Sequence, residues 1–230
     1  MIPLEDEFGD LIGKSRSGHG LTVQELAGQA GIDADVISAF EGYRRDPTRE
    51  QSDVLAGRLA LDPEKLWDIA ADTWAPGPVE TALEGGLKVD QLWYGPDRVW
   101  AYVVGDDSQC VLIDAGVPAA EIGEAIGARE LVAVLLTHTH GDHVSALEEV
   151  TKGVDVPVYA PSQELDAVTG MADDVRPFSD GDAIEVGPFE FKALHTPGHT
   201  AGESCLAIAD AVFTGDALLA GSIGGTNLGP

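Results

Sequence analysis

Two cysteines, Cys110 and Cys205, are all the thiol that this 230-residue chain carries. They are too few for a disulfide framework, and both read as small buried apolar side chains. Basic residues are scarce too: 13 Lys and Arg against 40 Asp and Glu give a net charge of −27. A surface of that sign repels nucleic acid and anionic membrane, and acidity with so little lysine is compatible with a high-salt habitat. No apolar run approaches the roughly 18–20 residues needed to cross a bilayer. The acidic opening MIPLEDEFGD has no apolar core segment and does not read as a secretory signal. These absences together describe a soluble, cytoplasmic protein with no membrane partner. What is present is globular: 44% of residues are hydrophobic, and the 28 glycines and 13 prolines are scattered as punctuation. The length suits one ample core, or a small domain joined to a medium one.

The first 70 residues read as helical. Thr22 and Glu25 form a capping box ahead of the apolar stripe Val23, Leu26, Ala27, Ala30, and Gly31 stands where a helix is expected to stop. Asp33 is placed to cap the next helix, which carries Val36, Ile37 and Phe40. Thr48 and Gln51 make a second box before Val54, Leu55 and Leu59, and Asp62-Pro63 starts a further short helix. Helix, glycine-containing turn and helix is helix-turn-helix spacing. The residues LTVQELAGQAGIDADVISAFEGYRRDPT, within about residues 8–70, resemble the lambda-repressor-like DNA-binding domain. They depart from a DNA reader where base edges would be read, because DADVISAFEG opens with two aspartates and holds no Arg, Lys, Asn or Gln. Seven basic and 14 acidic side chains among residues 1–70 leave a net of −7, and no basic patch is evident. Nucleic acid is therefore not the expected partner. Packing or self-association as a homodimer is the expected role.

Beyond residue 72 the composition changes. Ala71–Gly86 (ADTWAPGPVETALEGG) reads as a linker, assigned to residues 73–86, and short β runs follow it. These runs are Val99–Val104, Val111–Ile113, Val132–Leu136, Val156–Tyr159, Phe189–Leu194, Ser204–Ile208 and Ala211–Phe213. Helical patterns fall at about Ala119–Ile126, His143–Val150 and Ser162–Val168. Strands and helices mixed in this way describe an α/β domain over residues 87–230.

Three of the chain's six histidines lie within LLTHTHGDHVSA, Leu135–Ala146. A buried strand delivers the chain to this loop. His138 and His140, two apart on extended backbone, point to the same side, and Asp142 and His143 sit where a helix begins. Imidazole and carboxylate together suit zinc, iron or manganese. LHTPGHTAG adds His195 and His199 after another strand, and AVFTGDALL presents Asp216 from a Thr-Gly-Asp turn. Strand ends bearing ligand-type groups, three times over, are what a metal site at one edge of a sheet requires.

THTHGDH, TPGHT and TGD, in this order and at this spacing, resemble the metallo-β-lactamase superfamily over about residues 87–230. The phrase TGDALLAGSIGGTNLG is similar to the hydroxyacylglutathione hydrolases and persulfide dioxygenases within it. The resemblance implies an αββα sandwich with two divalent metal ions, zinc by preference, at the edge where its halves meet. One ion would take His138, His140 and His199; the second would take Asp142 and His143; Asp216 would bridge them. It further implies a hydrolase whose nucleophile is a metal-bound hydroxide, oriented by Asp142, acting on a thioester or other activated acyl compound. Thr137 and His195 are expected to support the ligands from behind.

The chain also departs from that family. The hydrolases take one more histidine, downstream of the bridging aspartate, and none follows His199. Two explanations stand: a shortened version of a longer chain, or a depleted second site whose ion is weakly held. No arginine stands at Gly225, where relatives often carry one, and nothing specifies a glutathione moiety. Two alternatives follow. A persulfide dioxygenase would hold one iron through His138, His199 and Asp216, the 2-His-1-carboxylate set. A regulator would couple DNA binding to sensing of a metal or metabolite.

Overall fold

The computed structural model describes residues 4–77, 79–95 and 98–226. The end of the TGDALLAGSIGGTNLG phrase, from residue 227, lies outside them. The chain forms two compact units: one runs to residue 78 and takes in the stretch from Leu219, and the other spans Val79–Leu218.

The first unit holds helices α1 (Phe8–Gly18), α2 (Val23–Ala30), α3 (Ala34–Glu41), α4 (Arg49–Leu59) and α5 (Pro63–Ala70). Both capping boxes are made: Thr22 accepts from the Glu25 amide while Glu25 reaches back, and Thr48 and Gln51 repeat the exchange. Gly31 closes α2 at φ 67°, left-handed backbone that glycine adopts without a Cβ penalty. Asp33 precedes α3, but its carboxylate makes no capping bond; the Val36 and Ile37 amides bond instead to its backbone carbonyl. Leu26, Ile37, Phe40, Leu55 and Leu59 are buried as the periodicity predicts, joined by Phe8, Ile12, Ala56 and Leu66. Val23 and Val36 lie at the margin of this core. A Cβ on Gly9 would meet the Phe40 carbonyl oxygen at 2.4 Å, so α1 approaches α3 as closely as it does because residue 9 has no side chain. Lys14 ties in the later stretch, donating to Asp6 at 2.6 Å and to the Ile223 carbonyl at 2.9 Å.

The second unit runs β1 (Lys88–Tyr94), β2 (Val99–Gly105), β3 (Gln109–Ile113), α6 (Ala119–Ile126), β4 (Glu130–Leu135), α7 (Gly141–Val144), α8 (Leu147–Thr151), β5 (Val158–Pro161), α9 (Leu165–Val168), β6 (Val175–Phe178), β7 (Ala183–Val186), β8 (Phe189–His195), β9 (Ser204–Ile208) and β10 (Ala211–Phe213). Six strands form one sheet in the order β1 to β6, and four form another in the order β10-β9-β8-β7. β3 through β6 pair in parallel, which requires crossovers, and α6 to α9 lie within them. The four-strand sheet is an antiparallel meander. Val104, Val111, Ile113 and Leu135 from the first sheet pack with Phe189, Phe191, Leu206 and Phe213 from the second. The opposite face of the first sheet, with Val103, Leu112 and Val134, packs with Ile122 of α6 and Leu147 of α8. The architecture is the mixed α/β sandwich expected, preceded by helices.

Three differences from the sequence pattern have physical reasons. β1, β6 and β7 lack a sustained apolar run, because each keeps polar or exposed positions. The helix expected over His143–Val150 is broken into α7 and α8. There the His143 carbonyl accepts from the Ala115 amide, and the Ala146 amide donates to the Ala115 carbonyl, both at 2.8 Å. Those bonds pin the break to the end of β3. The helix expected from Ser162 starts at Leu165, since the Ser162 amide still bonds to Phe178 of the sheet. Among the described residues no helix is long and apolar enough to cross a membrane.

Leu112 is fully buried between sheet and helices. Leu112→Ala should lower the unfolding free energy by about 2–5 kcal/mol, read from denaturant unfolding; a loss below about 1 kcal/mol would contradict the packing described.

Candidate metal centre

β4 ends at Leu135, and the chain runs on as buried Leu136, Thr137 and His138 before α7 begins at Gly141. Three other segments converge there: the exit of β3 at Asp114, the loop between β8 and β9 bearing His199, and the turn after β10 bearing Asp216. The Ser204 amide donates to the Thr137 carbonyl at 3.0 Å, joining the roots of the two histidine loops.

The rings gather closely. His138 lies with its centroid 4.1 Å from His143, 4.8 Å from His140 and 5.0 Å from His199. His140 Nδ1 and His199 Nε2 are 2.8 Å apart. Asp216 spans the group, one oxygen 3.2 Å from His143 Nε2 and the other 3.2 Å from His199 Nε2. Two triads of ligand-type atoms result, His138–His140–His199 and His138–His143–Asp216, each within 4.8 Å. His138 is fully buried, and its Nε2 has no hydrogen-bond partner. A buried nitrogen with a free lone pair amid other ligand atoms fits a divalent cation.

Asp114 organises the ring orientations from behind. Its carboxylate is buried and accepts from the Thr137 amide and the Thr137 hydroxyl, both at 2.8 Å, while facing His143 Nδ1 at 3.0 Å. Thr137 spends its single hydroxyl proton on Asp114. Toward His138 Nδ1, 3.2 Å away, it can therefore only accept. That places a proton on Nδ1 of both His138 and His143 and turns Nε2 of both rings inward.

Burial sets the protonation of the cluster. It pushes His138 down to about 2, reinforced by the charge of His143 and opposed by Asp216. It also lowers His140. His143 goes the other way: burial opposes its charge, but Asp114 and Asp216 overcome that and raise it well above 6.5. Burial opposes the charge of Asp216, but the hydrogen bond and charge of His143, with the charges of His138 and His199, overcome it and hold the group at about 2.

Other expected residues have distinct places. Asp142 lies half-buried in the first turn of α7, close enough for its charge to raise His140, and its carboxylate enters neither triad. His195 ends β8 and braces its own loop, with Nε2 2.9 Å from the Ala201 carbonyl. Three carboxylates escaped the sequence reading: Asp114, Glu164 and Glu203. Asp114 had a visible signal, an acid directly after the apolar run VLI. Glu203 had one too, preceding the buried strand SCLAI. It is fully buried, with Oε2 3.6 Å from His138 Nδ1, and burial followed by the charge of Asp216 raises it to about 9. Glu164, in a half-exposed turn, had none.

The opposite shifts of His143 and His138 predict a pH signature. Folding raises His143, so its imidazolium stabilises the metal-free fold fully below about pH 6.5 and less as pH climbs through the raised value. A cation must displace that proton, so zinc uptake on the His143–Asp216 side should tighten from about pH 6 to about pH 8. Burial keeps His138, which both triads share, neutral in that range, so it adds no competing proton. Zinc titrations at the two pH values test this; an affinity on that side that fails to rise with pH would contradict it.

Comparison with known proteins agrees with this geometry. The family described as the metallo-beta-lactamase superfamily matches residues 94–229. A probable metallo-hydrolase of Bacillus subtilis (strain 168), YqgX, is 36% identical over 62% of this chain and 76% of its own length. A hydroxyacylglutathione hydrolase of Alkalilimnicola ehrlichii is 36% identical over 57% of this chain, which spans 50% of that protein. Among solved structures, TTHA1623 in a di-iron-bound form is 30% identical with a TM-score of 0.54, over 61% of this chain and 78% of its own. The fold, the histidine cluster and these relatives place the protein among enzymes of the metallo-hydrolase class. The chain belongs to the metallo-beta-lactamase superfamily.

Proposed function

We propose that this protein hydrolyses a thioester or comparably activated acyl compound at a centre of two divalent metal ions, with zinc the leading candidate. The observation that carries the reading is the buried, unpartnered Nε2 of His138, standing where two ligand triads meet with Asp216 spanning both. His138, His140 and His199 would hold one ion, and His143 and Asp142 the other, with Asp216 between them. When bound, such ions lower the pKa of water toward neutrality and stabilise the oxyanion of an attacked carbonyl.

The chain's own residues prepare that chemistry. Asp114 holds the Nδ1 proton of His143 directly and that of His138 through Thr137, which keeps the Nε2 lone pairs of both rings inward. Asp142, half-buried at the first turn of α7, would also orient the attacking water from the position it shares with His143. His195 steadies the loop that carries His199. Support for two ions comes from the TTHA1623 structure, which is described as di-iron-bound, and support for the substrate class comes from the hydroxyacylglutathione hydrolase.

Metal analysis and hydrolysis of an S-acyl glutathione test the proposal. About two ions per chain and measurable turnover are expected. His199→Ala should strip metal and abolish turnover, while His195→Ala should lower activity about 10- to 100-fold, as loss of outer support does. Two bound ions with no thioesterase activity would remove the substrate class. One iron per chain with oxygen consumption would replace hydrolysis by the persulfide dioxygenase reading.

A further inference from the structure

The structure assigns Glu164 as a positioning residue: its one carboxylate clamps together the two loops that deliver His138, His140 and His199. Oε2 accepts from the Thr139 amide at 2.8 Å and from the Thr139 hydroxyl at 2.9 Å. Oε1 accepts from the Gly202 amide at 2.8 Å and from the Thr200 hydroxyl. Thr139 stands between His138 and His140, and Thr200 directly follows His199, so the clamp grips the neighbours of three ligands. The only backbone bond between these loops, among those the structure describes, lies at their roots, from Ser204 to Thr137.

The local fold is built around this side chain. Glu164 is held in a turn before α9, its amide donating to the Pro161 carbonyl at 2.9 Å. Gly202 leaves the space that the side chain fills: a Cβ there would come within 2.6 Å of Glu164 Cγ and 2.7 Å of Oε1. Four donors also match the acceptor capacity of one ionised carboxylate. A carboxamide cannot substitute, because its nitrogen would face donors on one of the two loops. Holding His140 beside His199, with nitrogens 2.8 Å apart, is therefore the work of a residue that itself touches no ligand atom.

The clamp rests on the metal-centre reading for its purpose, and the test separates the two. Cobalt(II) titration followed by visible absorption reports both affinity and ligand set. Glu164→Gln and Gly202→Ala should each weaken cobalt binding about 10- to 100-fold, the usual effect of losing outer support, and should change the absorption bands as His199 leaves the ligand set. Circular dichroism checks that the variants fold, and Thr200→Val, which removes a single bond of the four, should show a smaller loss in the same direction. Wild-type affinity and spectrum in these variants would overturn the clamp. Hydrogen exchange in the metal-free protein provides the second arm. Glu164→Ala should deprotect the Thr139 and Gly202 amides, and unchanged protection would overturn the clamp whatever the metal does. Wild-type protein that takes up no cobalt, with exchange rising as expected in the variant, upholds the clamp and overturns the metal-centre reading instead.

Discussion

Asp114 is a charged group in a place where charge is expensive, and the centre is arranged around keeping it satisfied. It is almost fully buried at the end of β3, in left-handed backbone at φ 57° that a non-glycine residue adopts only under constraint. Burying a carboxylate is tolerable when its lone pairs are filled, and here a backbone amide, a hydroxyl and an imidazole fill them. The three donors belong to the two residues, Thr137 and His143, that flank the metal-binding loop. One buried anion thus determines where β4 ends, where α7 begins and which nitrogen of each ring faces inward. The backbone exchange between Ala115 and α7 repeats the same link one residue later. Gly116 completes it, because a Cβ there would fall 1.8 Å from the Asp142 carbonyl oxygen.

How much of this could be read beforehand depended on whether the signal was local. Caps and stripes are local, so the helical unit was legible down to Thr22, Gly31 and Thr48, with Asp33 the exception because its backbone rather than its side chain receives α3. The ligand-type residues were legible because strand, turn and histidine adjoin in sequence at THTHGDH and TPGHT. Strands such as β1 and β7 were not, since they sit at sheet edges and half their side chains face outward. Nor was Glu164: its meaning lies in Thr139 and Gly202, 25 and 38 residues away, and no periodicity carries that distance.

The composition that first looked like a surface property is also an internal one. With 40 acidic side chains and few cations, loops here are held by carboxylates accepting from backbone amides, an arrangement that needs no counter-ion of its own. Asp106 receives the amides of Ser108 and Gln109 at the β2–β3 turn, and Asp182 receives that of Ser179. Asp180 receives the amide of His195, and Asp210 that of Glu84. Asp114 and Glu164 are the same device placed beside the histidines.

That device has a consequence for the electrostatics of the centre. Amides neutralise a carboxylate only in part, so negative potential from Asp114, Asp216 and Glu164 persists around the rings. It is seen in the rise of Glu203, whose causes after burial include the charges of Asp216 and Asp114. Low local dielectric magnifies each such term. A site that is anionic, poorly solvated and supplied with neutral imidazole nitrogens favours a divalent cation over a monovalent one, because the attraction scales with the cation's charge. The ligands choose nitrogen-preferring metals, and the carboxylates behind them supply the pull. Specific recognition and overall charge here meet in the same three side chains, Asp114, Asp216 and Glu164.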